Sequence, residues 1–190
     1  LNLPHYPSSV EQLVVLEPDG AMRRRMAARA AEAPVPVEVL PQGIDASSLP
    51  GAGFDTVVCV LVLCTVPDLE RALAQVGRLL ADGGRLLFLE HVGSVGVRGR
   101  LQRLVTPLWR RLAAGCHLDR DVPAAIRASG LAITDVEWFG LPLPRPLSVP
   151  AVQGVARPRR HSTADFRARL ASPRDTGGSA SATAAEAARA

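Results

Sequence analysis

Lysine is absent from this sequence of 190 residues; all 22 of its cations are arginine. Cysteine is scarce as well. Three cysteines in a chain of this length cannot form a disulfide framework, and they point to a reducing compartment, the cytoplasm. Long apolar runs are missing: Val57 to Val66, with Cys and Thr inside it, gives about ten residues where a membrane span needs about twenty. The opening residues also lack a charged-then-apolar leader pattern, and the first residue is Leu rather than Met.

What remains is a chain able to bury one core, 47% hydrophobic and 21% charged, of a length that suits a single domain. Its net charge of +4 is unevenly placed. Residues 1–155 hold 15 Arg against 15 Asp and Glu, whereas residues 156–190 hold seven Arg against three acids. The pI near 9.7 therefore belongs to the C-terminal stretch and gives no ground for a nucleic-acid partner. Past Arg157 the chain becomes Ser, Thr, Ala, Gly and Arg with almost no large apolar residues. Such a composition cannot offset its ordering entropy. Residues 1–157 are read as the domain and residues 158–190 as a disordered tail.

Breaks at Pro, Gly and Asp divide the domain into alternating strand-like and helix-like pieces. Leu13–Leu16, Val35–Leu40, Phe54–Cys64, Arg85–Glu90, Ile133–Phe139 and Gln153–Ala156 read as strands. Met22–Glu32, Asp68–Leu80 and Pro123–Ser129 read as helices, with Asp82-Gly83-Gly84 ending the second. The continuous apolar character of Phe54–Cys64 predicts a strand buried on both faces. The expected fold is α/β: a Rossmann-like, mostly parallel sheet with helices on both faces and an antiparallel C-terminal edge strand, joined by a Pro-rich loop from Leu141 to Pro150.

In open α/β sheets ligands bind at the carboxyl ends of the strands. Glu17, ending the first strand, can accept both hydroxyls of a ribose, or it can serve as a first-turn acid of the following helix. Asp45-Ala46 can accept an adenine amino proton and admit its ring, or lie solvated in a loop. Glu90 and His91 at a strand mouth, and His117 in a loop, are the candidate bases or acceptor contacts; the alternatives are a carboxylate satisfying backbone donors and histidines facing solvent. No metal site is expected. Cys59 and Cys64 would face opposite sides of one strand, and no CxxC or HxxxH spacing links Cys64, His91, Cys116 and His117.

Leu49-Pro50, Phe54-Asp55-Thr56-Val57-Val58-Cys59 and Leu80-Ala81-Asp82-Gly83-Gly84-Arg85-Leu86 resemble the later half of class I, Rossmann-like SAM-dependent methyltransferases, with Asp82 where that family usually has Pro. Three narrower strings, Val60–Val66, Leu89-Glu90-His91-Val92 and Gly115–Asp121, are similar to the methyltransferase-like family of alkyl-thiol methyltransferases and bacterial phospholipid N-methyltransferase-like proteins. The resemblance implies S-adenosyl-L-methionine as cofactor, with Glu17 on its ribose, Asp45 and Ala46 flanking its adenine, and Val60 lining it. Leu1-Asn2-Leu3-Pro4-His5-Tyr6-Pro7 resembles the segment immediately after the family's glycine-rich loop, which puts Asn2 beside the cofactor. That loop, and the central strand before it, are not among these residues, and Ile44 stands where Gly is common. The domain is therefore expected to be N-terminally incomplete, and residues 1–190 alone to be poorly soluble or molten and not to bind the cofactor.

Val97–Leu112 places Leu101, Leu104, Val105, Leu108 and Leu112 on one helical stripe amid Arg98, Arg100, Arg103, Arg110 and Arg111, with Pro107 interrupting it. Such a helix can pack on its own domain, form a lid over an apolar acceptor, or make peripheral contact with an anionic membrane. The expected function is methyl transfer to a small apolar acceptor, a thiol or a lipid amine, in which alignment supplies much of the rate. The alternative is a non-catalytic interaction module, or an inactive fragment, that has lost the cofactor loop.

Overall fold

The computed structural model describes residues 2–94, 96–112, 115–142 and 148–159. The disordered tail expected over 158–190 lies outside the described residues from Arg160 onward. β1 (Leu13–Leu16) leads into α1 (Gly20–Ala30), whose cap is Asp19, accepting the Met22 amide at 2.7 Å. β2 (Val37–Leu40) then pairs in parallel with β1, Leu13 opposite Val37 and Leu16 opposite Leu40. A short 3-10 turn comes next at Ile44–Ala46.

The second sheet holds β3 (Phe54–Val60), β4 (Leu80–His91), β5 (Leu131–Pro142) and β6 (Ser148–Pro158) in the order β3-β4-β6-β5. β3 and β4 are parallel, and β6 runs against both β4 and β5. Three of its four strands thus point one way, the mostly parallel α/β arrangement expected. The β5–β6 hairpin does form at the edge, but its C-terminal strand is the inner member and β5 is the edge. The side chains explain the order: Ala151, Val152 and Ala156 of β6 are fully buried, whereas Val136 and Trp138 of β5 stay exposed. The hairpin pairs as far as Pro142 and Ser148, so the Pro-rich connection shrinks to residues 143–147, outside the described residues.

Two helices build the main core. α2 (Leu69–Leu79) starts at Asp68, which accepts the Arg71 amide at 2.9 Å, and buries Ala72, Leu73, Val76 and Leu79. α4 (Val122–Ala128) adds Val122 and Ile126 against Cys59, Leu86, Phe88 and Val152. The chain passes straight from Leu79 into β4, and the turn falls inside that strand, where Gly83 takes φ +80°, a conformation open to glycine. Helices on both faces are not found for this sheet among the described residues. α2 and α4 share one face, and Val58 and Val60 on the other remain 38% and 37% exposed. β3 also ends at Val60, four residues earlier than its apolar run predicts, because Leu61 turns to φ +55°.

α3 (Gly96–Leu112) continues through Pro107. Its orientation is unusual. Gly99 and Thr106 face inward, the Thr106 hydroxyl donating to the Gln102 carbonyl at 2.7 Å, while Val97, Leu101, Leu104 and Leu108 are 58% exposed or more.

Candidate functional site

The sharp turn after β3 is held by two other segments. Leu61 donates its amide to Leu89 in β4 at 2.8 Å, keeping the strands in register to the last residue. Glu90, fully buried, then accepts the amides of Val62 at 3.0 Å and Leu63 at 2.8 Å on Oε1, and that of Cys64 at 3.0 Å on Oε2. Burial raises the Glu90 carboxyl above its ordinary range, and these three bonds pull it back. The carboxylate is thus engaged as an anchor for the loop. A left-handed leucine costs about 1–2 kcal/mol, and the anchor offsets that cost.

From the far side comes the segment after α3. The Arg120 guanidinium donates to the carbonyls of Leu63 and Val66, both at 2.8 Å, and the His117 amide donates to the Cys64 carbonyl at 2.8 Å. Gly93, just past β4, lets the two segments meet: its amide reaches the Arg120 carbonyl at 2.9 Å, and a Cβ there would lie 3.0 Å from the Asp119 carbonyl oxygen. The strings Val60–Val66, Leu89–Val92 and Gly115–Asp121 therefore form one structure.

At its centre sit Cys64, His91 and Cys116. Cys116 Sγ lies 3.2 Å from His91 Nδ1 and 3.8 Å from Cys64 Sγ, and Cys64 Sγ lies 4.0 Å from the same Nδ1. Both thiols are buried and His91 is half-buried. Cys116 is made more acidic by its contact with Cys64 and by His91, against the effect of burial, while the same contact and burial push Cys64 up. Trp109 packs on the two cysteines. Sequence spacing lends no support to such a convergence. Cys64 escapes the strand geometry expected for it because β3 ends first, and only Cys59 stays on the strand, its thiol pushed up to about 12 by burial. His117 stands apart from the cluster; burial and the Arg120 and Arg110 charges hold its imidazole below the usual range.

The other expected residues lie on separate elements, at strand ends and on short turns. Glu17 lies just past β1 and its amide reaches the Leu40 carbonyl at 3.1 Å. Its Oε1 accepts the Asp19 amide at 2.9 Å, and Asp19, not Glu17, caps α1. Among the described residues its Oε2 accepts from no group. Asp45 and Ala46 lie in the 3-10 turn after β2, and Asn2 caps a 3-10 turn at Leu3–His5 without a side-chain bond. Val60 ends β3 on the open face.

Residues 1–88 match a sequence family described as "Methyltransferase domain". Rat thiol S-methyltransferase TMT1B is 35% identical over 102 residues, covering 53% of this chain and 42% of that protein. Human thiol S-methyltransferase TMT1A is 32% identical over 120 residues, 62% of this chain and 49% of that one. The chain thus spans less than half the length of these relatives. Among solved structures, the YcgJ protein of Bacillus subtilis superposes with a TM-score of 0.66 at 16% identity, over 80% of this chain and 84% of its own. A SAM-dependent methyltransferase of Methanosarcina mazei gives 0.60 at 16%, with the same coverage. At that identity the likeness is one of fold.

Proposed function

We propose that this chain is a class I Rossmann-like methyltransferase that uses S-adenosyl-L-methionine to methylate the sulfur of a small apolar thiol. The observation that carries the acceptor is the likeness to thiol S-methyltransferases, 35% and 32% identical over 102 and 120 residues. The chain's own residues fit the cofactor. A strand-end carboxylate with one oxygen left over (Glu17) suits a ribose, and Asp45 with the small Ala46, on the turn after the neighbouring strand, suits an adenine. Val60 would line the cofactor, and Asn2 lies on the N-terminal turn. When bound, the cofactor supplies an electrophilic methyl on a sulfonium. The protein's task is then alignment and removal of one thiol proton. His91 is the residue at the loop suited to hold that proton, with Glu90 fixing the loop beside it; His117, outside the cluster, is the less suited candidate.

The test is calorimetry with S-adenosylhomocysteine on the full-length gene product, followed by labelled methyl transfer to alkyl thiols, phosphatidylethanolamine and small phenols. Binding that is lost in Glu17→Ala, with transfer to the thiols, is expected. An absence of binding heat would favour a non-catalytic interaction module, and transfer to the lipid amine, a protein or a nucleic acid would overturn the thiol.

A second surface bears on where the reaction occurs. Among the described residues no helix is long and apolar enough to cross a membrane. The outward stripe of α3, flanked by the exposed Arg100 and Arg111, suits peripheral contact with an anionic lipid surface. Three free thiols favour the reducing, cytoplasmic side of such a surface.

A further inference from the structure

We propose that Cys64, His91 and Cys116 form a three-ligand Zn²⁺ site whose fourth position is open to a small exogenous thiolate. The metal assignment stands on geometry alone; only the identity of the fourth ligand rests on the thiol acceptor proposed for the reaction. Zinc bound by thiolate at about 2.3 Å and imidazole at about 2.0–2.1 Å in a tetrahedron separates two sulfurs by about 3.8 Å, and sulfur from nitrogen by about 3.6 Å. The two sulfurs here are 3.8 Å apart. The sulfur–nitrogen distances, 3.2 and 4.0 Å, straddle the expected value, so a small tilt of the imidazole makes them equal. All three donor atoms lie within 4.8 Å of one another, the one such group among the described residues.

The surroundings fit a metal better than three loose ligands. Two sulfurs and one imidazole suit Zn²⁺ by softness and geometry. Glu90 and Arg120 fix the loop that carries Cys64 from both sides, and Gly93 seats the segment that carries Cys116. The Trp109 indole N–H is buried, has no hydrogen-bond partner among the described residues, and packs against the two cysteines. An N–H in that position steadies a metal-bound thiolate. Three protein ligands with one place left is the pattern of zinc sites that act on a ligand rather than only brace a fold. The half-buried His91 marks the side from which a fourth ligand enters. On binding, each thiol that forms a zinc–sulfur bond gives its proton to solvent, the incoming alkyl thiol included; with His91 Nδ1 on the metal, this release takes the place of proton transfer to His91.

Cobalt(II) tests this directly. One equivalent added to the reduced, chelator-treated full chain should give a thiolate-to-cobalt charge-transfer band and the intense visible bands of a tetrahedral site, and zinc should bleach them. Cys116→Ser and His91→Ala should each weaken cobalt binding at least about tenfold. Cys59→Ser, whose thiol lies on β3 outside the cluster, should leave it unchanged. Independently of any variant's folding, zinc should raise the melting midpoint of the unaltered chain, and a chelator should reverse the rise. Adding a small alkyl thiol to the cobalt form should shift the visible bands. Unchanged bands would overturn the open fourth position. A Cys64–Cys116 disulfide with no cobalt spectrum, or thiol methylation by a chain that shows neither spectrum nor melting shift, would overturn the metal site; the second result would leave the proposed function standing.

Discussion

Glu90 is a single side chain on which the geometry of the loop depends. Removing it in Glu90→Ala leaves the amides of Val62, Leu63 and Cys64 without their acceptor while Leu61 keeps its left-handed backbone. Buried unsatisfied donors cost about 1–3 kcal/mol each, so urea unfolding should show a loss of about 3 kcal/mol or more. Glu90→Gln should lose roughly half as much, since its oxygen can still serve Val62 and Leu63 but its NH₂ would confront the Cys64 amide. A neutral result for both would mean that the loop holds its shape without the carboxylate. Glu17 offers the complementary case, at a functional position instead of a structural one. Because Asp19 caps α1, Glu17→Gln should leave the melting midpoint nearly unchanged. Loss of a charge-assisted bond of about 1.5–3 kcal/mol should weaken S-adenosylhomocysteine binding by at least about tenfold; an equal loss of stability and affinity would return Glu17 to a structural role.

At the level of elements, α3 inverts the usual logic of an amphipathic helix. Its narrow inward face is Gly99, Gln102, Thr106 and Trp109, and its broad apolar stripe looks out. If that stripe meets an anionic membrane, Leu104→Ser with Leu108→Ser should abolish co-sedimentation with phosphatidylglycerol vesicles, and Arg100→Glu should weaken it most at low salt. Equal binding to phosphatidylcholine vesicles, or binding untouched by these changes, would exclude the contact. The sequence made the helix legible, and its Arg-framed stripe too, but not which face it turns inward, since that is decided by what small and polar residues can nest against the domain. The same limit acts at β3. Leu61-Val62-Leu63 reads as more strand, and only the long-range grip of Glu90 and Arg120 turns those residues into a loop, a tertiary effect that overrides β propensity. The three strings were visible as strings. Their meeting, and with it the approach of Cys116 to Cys64 across 52 residues, has no signature in spacing.

For the molecule as a whole the consequential feature is that its strands form two ladders. β1–β2 and β3-β4-β6-β5 share no backbone pairing among the described residues. What joins them is packing, with Leu16, Ile44 and Leu49 set against the main core, and the Arg78 guanidinium donating to the Leu49 carbonyl at 2.7 Å. Packing of that extent is weaker than a continuous sheet, so the β1–β2 part should open on its own. Native-state hydrogen exchange should find the amides of Val14 and Val15 exchanging at least about tenfold faster than those of Leu87 and Phe88, which lie inside the β3-β4-β6 ladder. The proposed cofactor contacts straddle this division, Glu17 and Asp45 on one side and Val60 on the other. A ligand bound across both parts favours their joined state by its own binding free energy. In the full-length gene product, saturating S-adenosylhomocysteine should therefore slow exchange at Val14 and Val15 far more than at Leu87 and Phe88, and Glu17→Gln should erase the difference. Protection that rises uniformly, or only along β3 and β4, would mean that the ligand does not bridge the two ladders and that Glu17 and Asp45 do not hold it.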